Sequence, residues 1–261
     1  MKLSIITVNL NNATGLRKTI ESVSGQSFSD FEYIIIDGAS NDGSLSIIKE
    51  FSHKITYWTS EPDKGIFQAM NKGLKHSTGE LITFLNSGDE YYSPFSIEMA
   101  LNFLKMKWSA AELFFFDFIY QAGNNKMLVS SLDVTNKYRI YNKGFGHPST
   151  FYKKKLFGLY GGFDENYKIS ADRDFYMKVI VQHKMAFAYF PFTVSVFHEG
   201  GLSTSSNYKG IIQEEDKKII NTFYNNFERS IIGMKVFKRI IKMRYIGDLL
   251  IWLLNWKLKQ I

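Results

Sequence analysis

Tyr33-Ile34-Ile35-Ile36-Asp37-Gly38-Ala39-Ser40-Asn41-Asp42-Gly43-Ser44 sets an unbroken apolar run against a turn rich in Gly, Asn and Asp. Such a β-branched and aromatic run reads as a strand buried on both faces, the kind found in parallel sheets. Upstream, Leu3-Ser4-Ile5-Ile6-Thr7-Val8-Asn9 is a second run, too short for the apolar core of a signal peptide and read as the first buried strand. Between the two, Leu16, Ile20 and Val23 recur at helical spacing after Thr14, an N-cap candidate. Downstream the alternation repeats: a helical pattern at residues 45–51, a strand at 55–59, a helix at 66–74 and a strand at 81–85. Strands alternating with short helices predict parallel strands joined by crossovers, hence an open α/β sheet whose ligands gather at the strands' carboxyl ends.

After Asp89 the pattern is mixed. A helix is expected from Ser93-Pro94 to about Lys107, strands at 113–120 and 127–130, a loop-rich stretch to His147-Pro148, a helix at 172–182 and a strand at 186–190. The last third is helical in pattern. No internal repeat or low-complexity tract interrupts the chain, so one α/β domain with a C-terminal helical extension is the simplest division.

Composition narrows the chemistry. The 261 residues are 45% hydrophobic, ordinary for a folded domain, and contain no cysteine, which excludes disulfides, Cys-bound zinc and a thiol nucleophile. Neither Gly-x-Gly-x-x-Gly nor a Walker loop follows the first strand, where Asn9-Leu10-Asn11-Asn12-Ala13-Thr14 stands instead. Two acids do close buried strands at the edge an open sheet exposes: Asp37, and Asp89 shortly after residues 81–85. Each also has a plain reading, Asp37 as an Asx-turn before the next helix and Asp89 as a turn carboxylate. Together, two carboxylates at neighbouring strand ends suit a nucleoside diphosphate, one reading the base or ribose and the other holding a hard divalent cation.

At this point the sequence resembles the family 2 glycosyltransferases of the GT-A fold over roughly residues 1–205. Ser4-Ile5-Ile6-Thr7-Val8-Asn9 looks like their first strand, and residues 36–44 like their nucleotide-binding turn. Ser60-Glu61-Pro62-Asp63-Lys64-Gly65-Ile66-Phe67-Gln68-Ala69-Met70-Asn71-Lys72-Gly73 looks like a subgroup signature. The resemblance implies a GT-A-like open, mostly parallel sheet flanked by helices, with a nucleotide-binding half at 1–90 and an acceptor half at 91–229. It implies that Thr7, Val8 and Asn9 line the base pocket, that Asp37 hydrogen-bonds the base, commonly uracil, and that Lys64 and Ser87 face the nucleotide-sugar. The metal-binding Asp-x-Asp element falls on Asn86-Ser87-Gly88-Asp89, where only the final acid is kept, so Asp89 carries over as the ligand of Mn2+ or Mg2+. His198, in Phe197-His198-Glu199-Gly200-Gly201, sits where some relatives place a third ligand. The catalytic base carries over to Asp172 in Ser170-Ala171-Asp172-Arg173-Asp174, with Ala171 where the first acid of a pair usually stands. Asp172 and Asp174 could also simply complement a helix macrodipole. His147, in Gly146-His147-Pro148-Ser149-Thr150-Phe151, resembles a segment lining the acceptor side and reads equally well as a loop histidine.

The implied reaction is inverting transfer from a nucleotide-sugar, a UDP-sugar above all, to a saccharide or polyprenyl-linked acceptor in surface-polysaccharide or lipid-linked oligosaccharide assembly. A sugar nucleotidyltransferase would show a Gly-rich, Arg-containing loop after the first strand, which residues 9–15 lack. A decayed scaffold is suggested by Asn86 and Ala171 and opposed by Asp37, Asp89 and Asp172 together.

Charge is uneven. Of the formal +7, residues 234–261 hold seven basic residues against Asp248 alone, leaving 7 − 6 = +1 for the first 233. With Val236, Phe237, Ile240, Ile241, Leu249, Leu250, Trp252, Leu253 and Trp256 at helical spacing, residues 230–261 are expected to form a basic amphipathic helix on an anionic membrane surface. The longest uncharged run there, residues 249–256, is far short of the roughly 20 residues a span needs. The expected location is the cytoplasmic, inner face of the cell membrane; nucleic acid is not an expected partner, because no reader motif accompanies the charge.

Overall fold

The structure is a computed structural model that describes residues 1–131 and 146–232. The basic helix expected at 230–261 lies outside the described residues apart from its first three. In chain order the strands are β1 (Leu3–Asn9), β2 (Phe31–Asp37), β3 (Tyr57–Ser60), β4 (Leu81–Phe84), β5 (Glu90–Tyr91), β6 (Leu113–Ala122), β7 (Asn125–Val129), β8 (Thr150–Lys153) and β9 (Phe187–His198). The helices are α1 (Ala13–Ser24), α2 (Ser44–Glu50), α3 (Ile66–His76), α4 (Ser96–Lys107), α5 (Lys155–Tyr160), α6 (Ala171–Tyr176), α7 (Lys209–Phe223) and α8 (Asn226–Ile232). A π-helical turn, Met177–Gln182, continues α6.

One sheet runs β3-β2-β1-β4-β8-β6-β9-β5, with β7 added on β6. Its first four strands are parallel, joined through α1, α2 and α3, which bears out the open α/β sheet expected from the sequence. Beyond β4 the pairing mixes directions: β8 is antiparallel to β4 and β6, whereas β9 is parallel to β6.

Three details differ from expectation. Asn12, rather than Thr14, caps α1, its side chain accepting from the Gly15 amide. β5, β8 and α5 have no counterpart in the sequence reading, being two, four and six residues long, too short for a periodicity to register. β9 extends to His198 instead of stopping at Phe190. Its pairing jumps from Phe116↔Phe190 to Asp117↔Thr193, so Pro191 and Phe192 sit in an irregularity that hides the strand's second half.

Period-two alternation divides β1 between two apolar layers. Leu3 and Ile5 pack with Leu16 and Ile20 of α1 and Leu101 and Leu104 of α4; Ile6 and Val8 pack with Phe67, Met70 and Leu74 of α3. The same alternation carries Asn9 and Asp37, in register with each other, to the end of the sheet on the face of Leu3 and Ile5.

α3 lies so close on β1 that a Cβ at Gly73 would stand 2.4 Å from Ile6 Cγ2. Gly73→Ala therefore forces helix and strand apart. Overpacking of this kind costs about 1–3 kcal/mol, against a gain of at most about 1 kcal/mol in helix propensity. The expected outcome is a melting temperature lower by a few degrees in thermal denaturation; an unchanged or higher value would mean that α3 and β1 separate freely.

Candidate functional site

The carboxyl ends of β2, β1 and β4 lie side by side along one edge of the sheet. On its β2 side Asp37 is fully buried and accepts four hydrogen bonds: from Asn9 Nδ2 (2.7 Å) and Ser40 Oγ (2.6 Å) on Oδ1, and from Ser40 N (2.9 Å) and Ser60 Oγ (2.7 Å) on Oδ2. Burial alone would raise its pKa, but the donors from Ser40, Ser60 and Asn9 outweigh it and hold the carboxyl below its ordinary value. The Asx-turn reading of Asp37 is thus present in the Ser40 amide contact, without displacing a role toward a ligand. Asn9 Oδ1, next to this carboxylate, is buried with no hydrogen-bond partner among the described residues.

On the β4 side, residues 86–89 form a turn pinned from α1. Thr19 Oγ1 donates to the Asp89 carbonyl at 2.7 Å and accepts from the Gly88 amide at 3.0 Å, and Asn12 Nδ2 donates to the Ser87 carbonyl at 3.1 Å. The Ser87 amide donates to Val8 O (3.1 Å), tying the turn to β1. Within it the Asp89 carboxylate is buried, and its one side-chain contact among the described residues is a long bond from the His198 backbone amide at 3.3 Å. Burial pushes its pKa up to about 8, opposed by that bond, reinforced by the Glu90 charge and opposed by Lys18.

The third component comes from the acceptor half. Asp172 opens α6, accepting from the Arg173 amide at 2.8 Å. Its charge acts on three buried groups, His147, Tyr152 and Tyr176. Tyr176, one turn further along α6, bonds the Tyr152 hydroxyl, which lies 3.4 Å from His147 Nδ1. The His147 ring stacks on Phe84 at 5.2 Å, so it stands between the end of β4 and α6. Burial lowers its pKa despite Asp172, and the ring is neutral at pH 7.

Of the residues expected at the site, Asn9, Asp37, Ser87, Asp89 and His198 gather at these strand ends, while Asp172 is tied to the β4 side only through its charge on His147, whose ring stacks on Phe84. Thr7 is set deeper, its hydroxyl donating to Leu85 O at 2.7 Å beside the Tyr33 hydroxyl, and Val8 faces the opposite apolar layer. Lys64 is exposed on the rim, its amide donating to Gln68 Oε1 at 2.9 Å. His198 meets Asp89 through its backbone only; its ring turns to Glu90 (2.6 Å) and Lys18 (3.1 Å). Sequence reasoning passed over Glu215 of α7, buried and accepting from the amides of Lys168, Ile169 and Ser170 just before Asp172. One acid within the run Glu214-Glu215-Asp216 of an amphipathic helix gives no signal of such a contact.

The model of the family "Glycosyl transferase family 2" matches residues 4–163. An uncharacterized glycosyltransferase of Mycobacterium tuberculosis is 30% identical over 177 residues, 67% of this chain and 68% of the relative. A PGL/p-HBAD biosynthesis glycosyltransferase of Mycobacterium tuberculosis is 27% identical over 206 residues, covering 77% and 79%. Among solved structures, TarS of S. aureus (residues 1–349, in complex with UDP-GlcNAc) superposes with a TM-score of 0.68 at 19% identity, over 89% of this chain and 70% of that one. A mannosyltransferase from Pyrobaculum calidifontis, in complex with GDP-Man and Mn2+, gives 0.57 at 16% identity, over 75% and 56%. These likenesses in structure carry the fold, which is the GT-A arrangement that the sequence resemblance implied.

Among the described residues no three His, Asp or Glu side chains converge as a metal cage. Asp89 nevertheless fits an ion held by one protein carboxylate, since it is a buried acid almost without donors. Left without a cation it resists ionising. Its native pKa of about 8 exceeds the ordinary aspartate value, so the folded state binds the proton more tightly and stability falls as pH rises from about 4 to about 8. Asp89→Asn removes this term. In thermal melts with chelator, the variant should gain on the native protein as pH goes from 5 to 8; a pH-independent difference would mean that Asp89 ionises freely.

Proposed function

The chain belongs to glycosyl transferase family 2, and from that premise we propose that it moves a sugar, with inversion, from a UDP-sugar to an acceptor hydroxyl in surface-polysaccharide or lipid-linked oligosaccharide assembly. The observation that carries this reading is the pair of buried carboxylates, Asp37 at the end of β2 and Asp89 after β4, on either side of β1, with Asp172 in the first turn of α6. The UDP-GlcNAc complex of TarS supports the choice of nucleotide.

Asn9 and the Asp37 turn receive the base and ribose, and Lys64 approaches the diphosphate from the rim. Asp172 takes the proton from the acceptor hydroxyl as that oxygen bonds the anomeric carbon. The bond from the anomeric carbon to the diphosphate oxygen breaks with its electron pair on the diphosphate, so the configuration inverts. Asp89 would hold a divalent cation, Mn2+ or Mg2+, which would supply Lewis-acid neutralisation of that leaving charge, and His198 would join it only by turning its ring away from Glu90 and Lys18. His147 and Tyr152, both buried, exclude water behind Asp172.

The same reading places the enzyme at the inner, cytoplasmic face of the membrane through the basic segment beyond residue 232. No described helix is long and apolar enough to cross a membrane.

Asp172→Asn keeps the shape of the side chain and loses its basicity. With a donor identified by thermal shift across a nucleotide-sugar panel, turnover should fall at least about a hundredfold at unchanged donor affinity. Turnover within a few-fold of the native enzyme would move the base elsewhere. For the tail, the full chain should sediment with anionic liposomes and be released by salt. A chain ending after the buried Ile232 should stay in the supernatant and still bind donor; equal sedimentation would remove the tail from the explanation.

A further inference from the structure

Gln68, Asn71 and Lys72 stand at i, i+3 and i+4 on one face of α3. Each is committed to a loop. Lys72 Nζ pairs with Glu61 Oε1 at 2.8 Å and donates to Pro62 O at 3.1 Å, while Gln68 Oε1 accepts from the Lys64 amide at 2.9 Å. That holds the turn at 61–65, which is itself tied to the nucleotide side by the Glu61 amide bonding Asp37 O at 3.0 Å. The same helix face grips the loop leading to Asp172. Asn71 bonds the Phe163 backbone twice, donating to its carbonyl (2.8 Å) and accepting from its amide (2.9 Å). Glu165 receives Asn71 Nδ2 on one oxygen (2.9 Å) and Gln68 Nε2 on the other (3.1 Å). The approach is close enough that a Cβ at Gly162 would lie 2.3 Å from Asn71 Oδ1.

Hydrogen-bond polarity makes this a connected chain. Because Gln68 accepts from Lys64 through its oxygen, its amide nitrogen is left to donate, and only an acceptor suits the position that Glu165 fills. One helix face thus joins a turn of the nucleotide half to the loop of the acceptor half that precedes Asp172.

We propose that Gln68, Asn71 and Glu165 are positioning residues that hold the Asp172 helix in register with the donor-side turn, so that order at residues 61–65 is transmitted to residues 161–172. As a statement about catalysis this rests on the glycosyltransferase reading with Asp172 as base; as a statement about coupled loops it does not.

The test uses the full chain and exploits the polarity. Glu165→Gln sets a donor against a donor, whereas adding Gln68→Glu restores every bond. The carboxylate then at position 68 accepts both from the Lys64 amide and from the side-chain NH2 introduced at position 165, whose carbonyl oxygen still accepts from Asn71. With saturating nucleotide-sugar, Glu165→Gln should lower kcat by about tenfold, in keeping with the sensitivity of transfer to small misplacements, at nearly unchanged donor KM. The double variant should return kcat to within a few-fold of the native value. Native kcat in the single variant, or no recovery in a folded double variant, overturns the proposal. Amide hydrogen exchange is measured on the same proteins. Faster exchange in Glu165→Gln across both 61–66 and 161–170, reversed in the double variant, supports the coupling, and acceleration confined to 161–170 overturns it. If the native enzyme transfers from no nucleotide-sugar, the functional reading fails while the exchange result still decides the coupling.

Discussion

A carboxylate can be buried as the ion only if donors replace its water, and Asp37 meets that requirement with four of them drawn from three segments. Asn9 ends β1, Ser60 ends β3, and Ser40 lies in the turn after β2, so satisfying one charge fixes three strand ends relative to one another. The constraint spreads outward. Ser40 Oγ also accepts the Asn11 amide at 2.8 Å, Asn11 Oδ1 accepts the Asn41 amide at 2.9 Å, and Asp42 accepts the Ala13 amide at 2.7 Å. Ala39 is carried into the left-handed region at φ +62°, a conformation that a non-glycine residue holds only when its surroundings impose it. This edge of the sheet is therefore set before any ligand enters.

Asp89 presents the opposite case along the same edge. Its backbone is held as firmly as that of Asp37, by Thr19 on both sides of the residue, yet its carboxyl has one long contact among the described residues. A firmly held carboxyl with so few donors ionises at a cost that a nearby positive group would offset. The two carboxylates have thus separated in role through their surroundings: Asp37 organises, and Asp89 is held open. The sheet makes this possible because parallel strands deliver both to one edge, while the mixed strands beyond β4 bring in β9 and with it His198.

Much of this was legible in the sequence, and the exceptions have physical causes. Residues 3–9, 31–37 and 81–85 are apolar on both faces, so their runs stand out, and the acids that follow them are conspicuous. The helices between them show a 3.6-residue period because one side only meets the sheet. β8 left no trace because four residues between a loop and a helix carry no period, and β9 was half hidden by Pro191 and Phe192 at its irregularity. Contacts such as Glu215 with the 168–170 amides join residues about 45 apart, and nothing local in the sequence distinguishes that acid from its exposed neighbour Glu214. Motifs named Asp172; that its charge would act on Tyr176, Tyr152 and His147 depended on how β8 packs.

Ala171 and Asn86, which stand where the family resemblance implies a second acid, can be understood on the same terms. Ala171 is fully buried in the layer that also holds Phe175 and Tyr176, so a carboxylate there would lose its water among aromatic rings. Asn86 lies in the turn beside Asp89, and its Oδ1 is buried without a partner among the described residues. A second carboxylate at that position would add a like charge to a site where burial already pushes Asp89 up to about 8, making ionisation of either harder. An amide keeps the size and the acceptor oxygen without the charge. Alanine at 171 and asparagine at 86 thus each avoid a further buried charge, one beside Asp172 and the other beside Asp89.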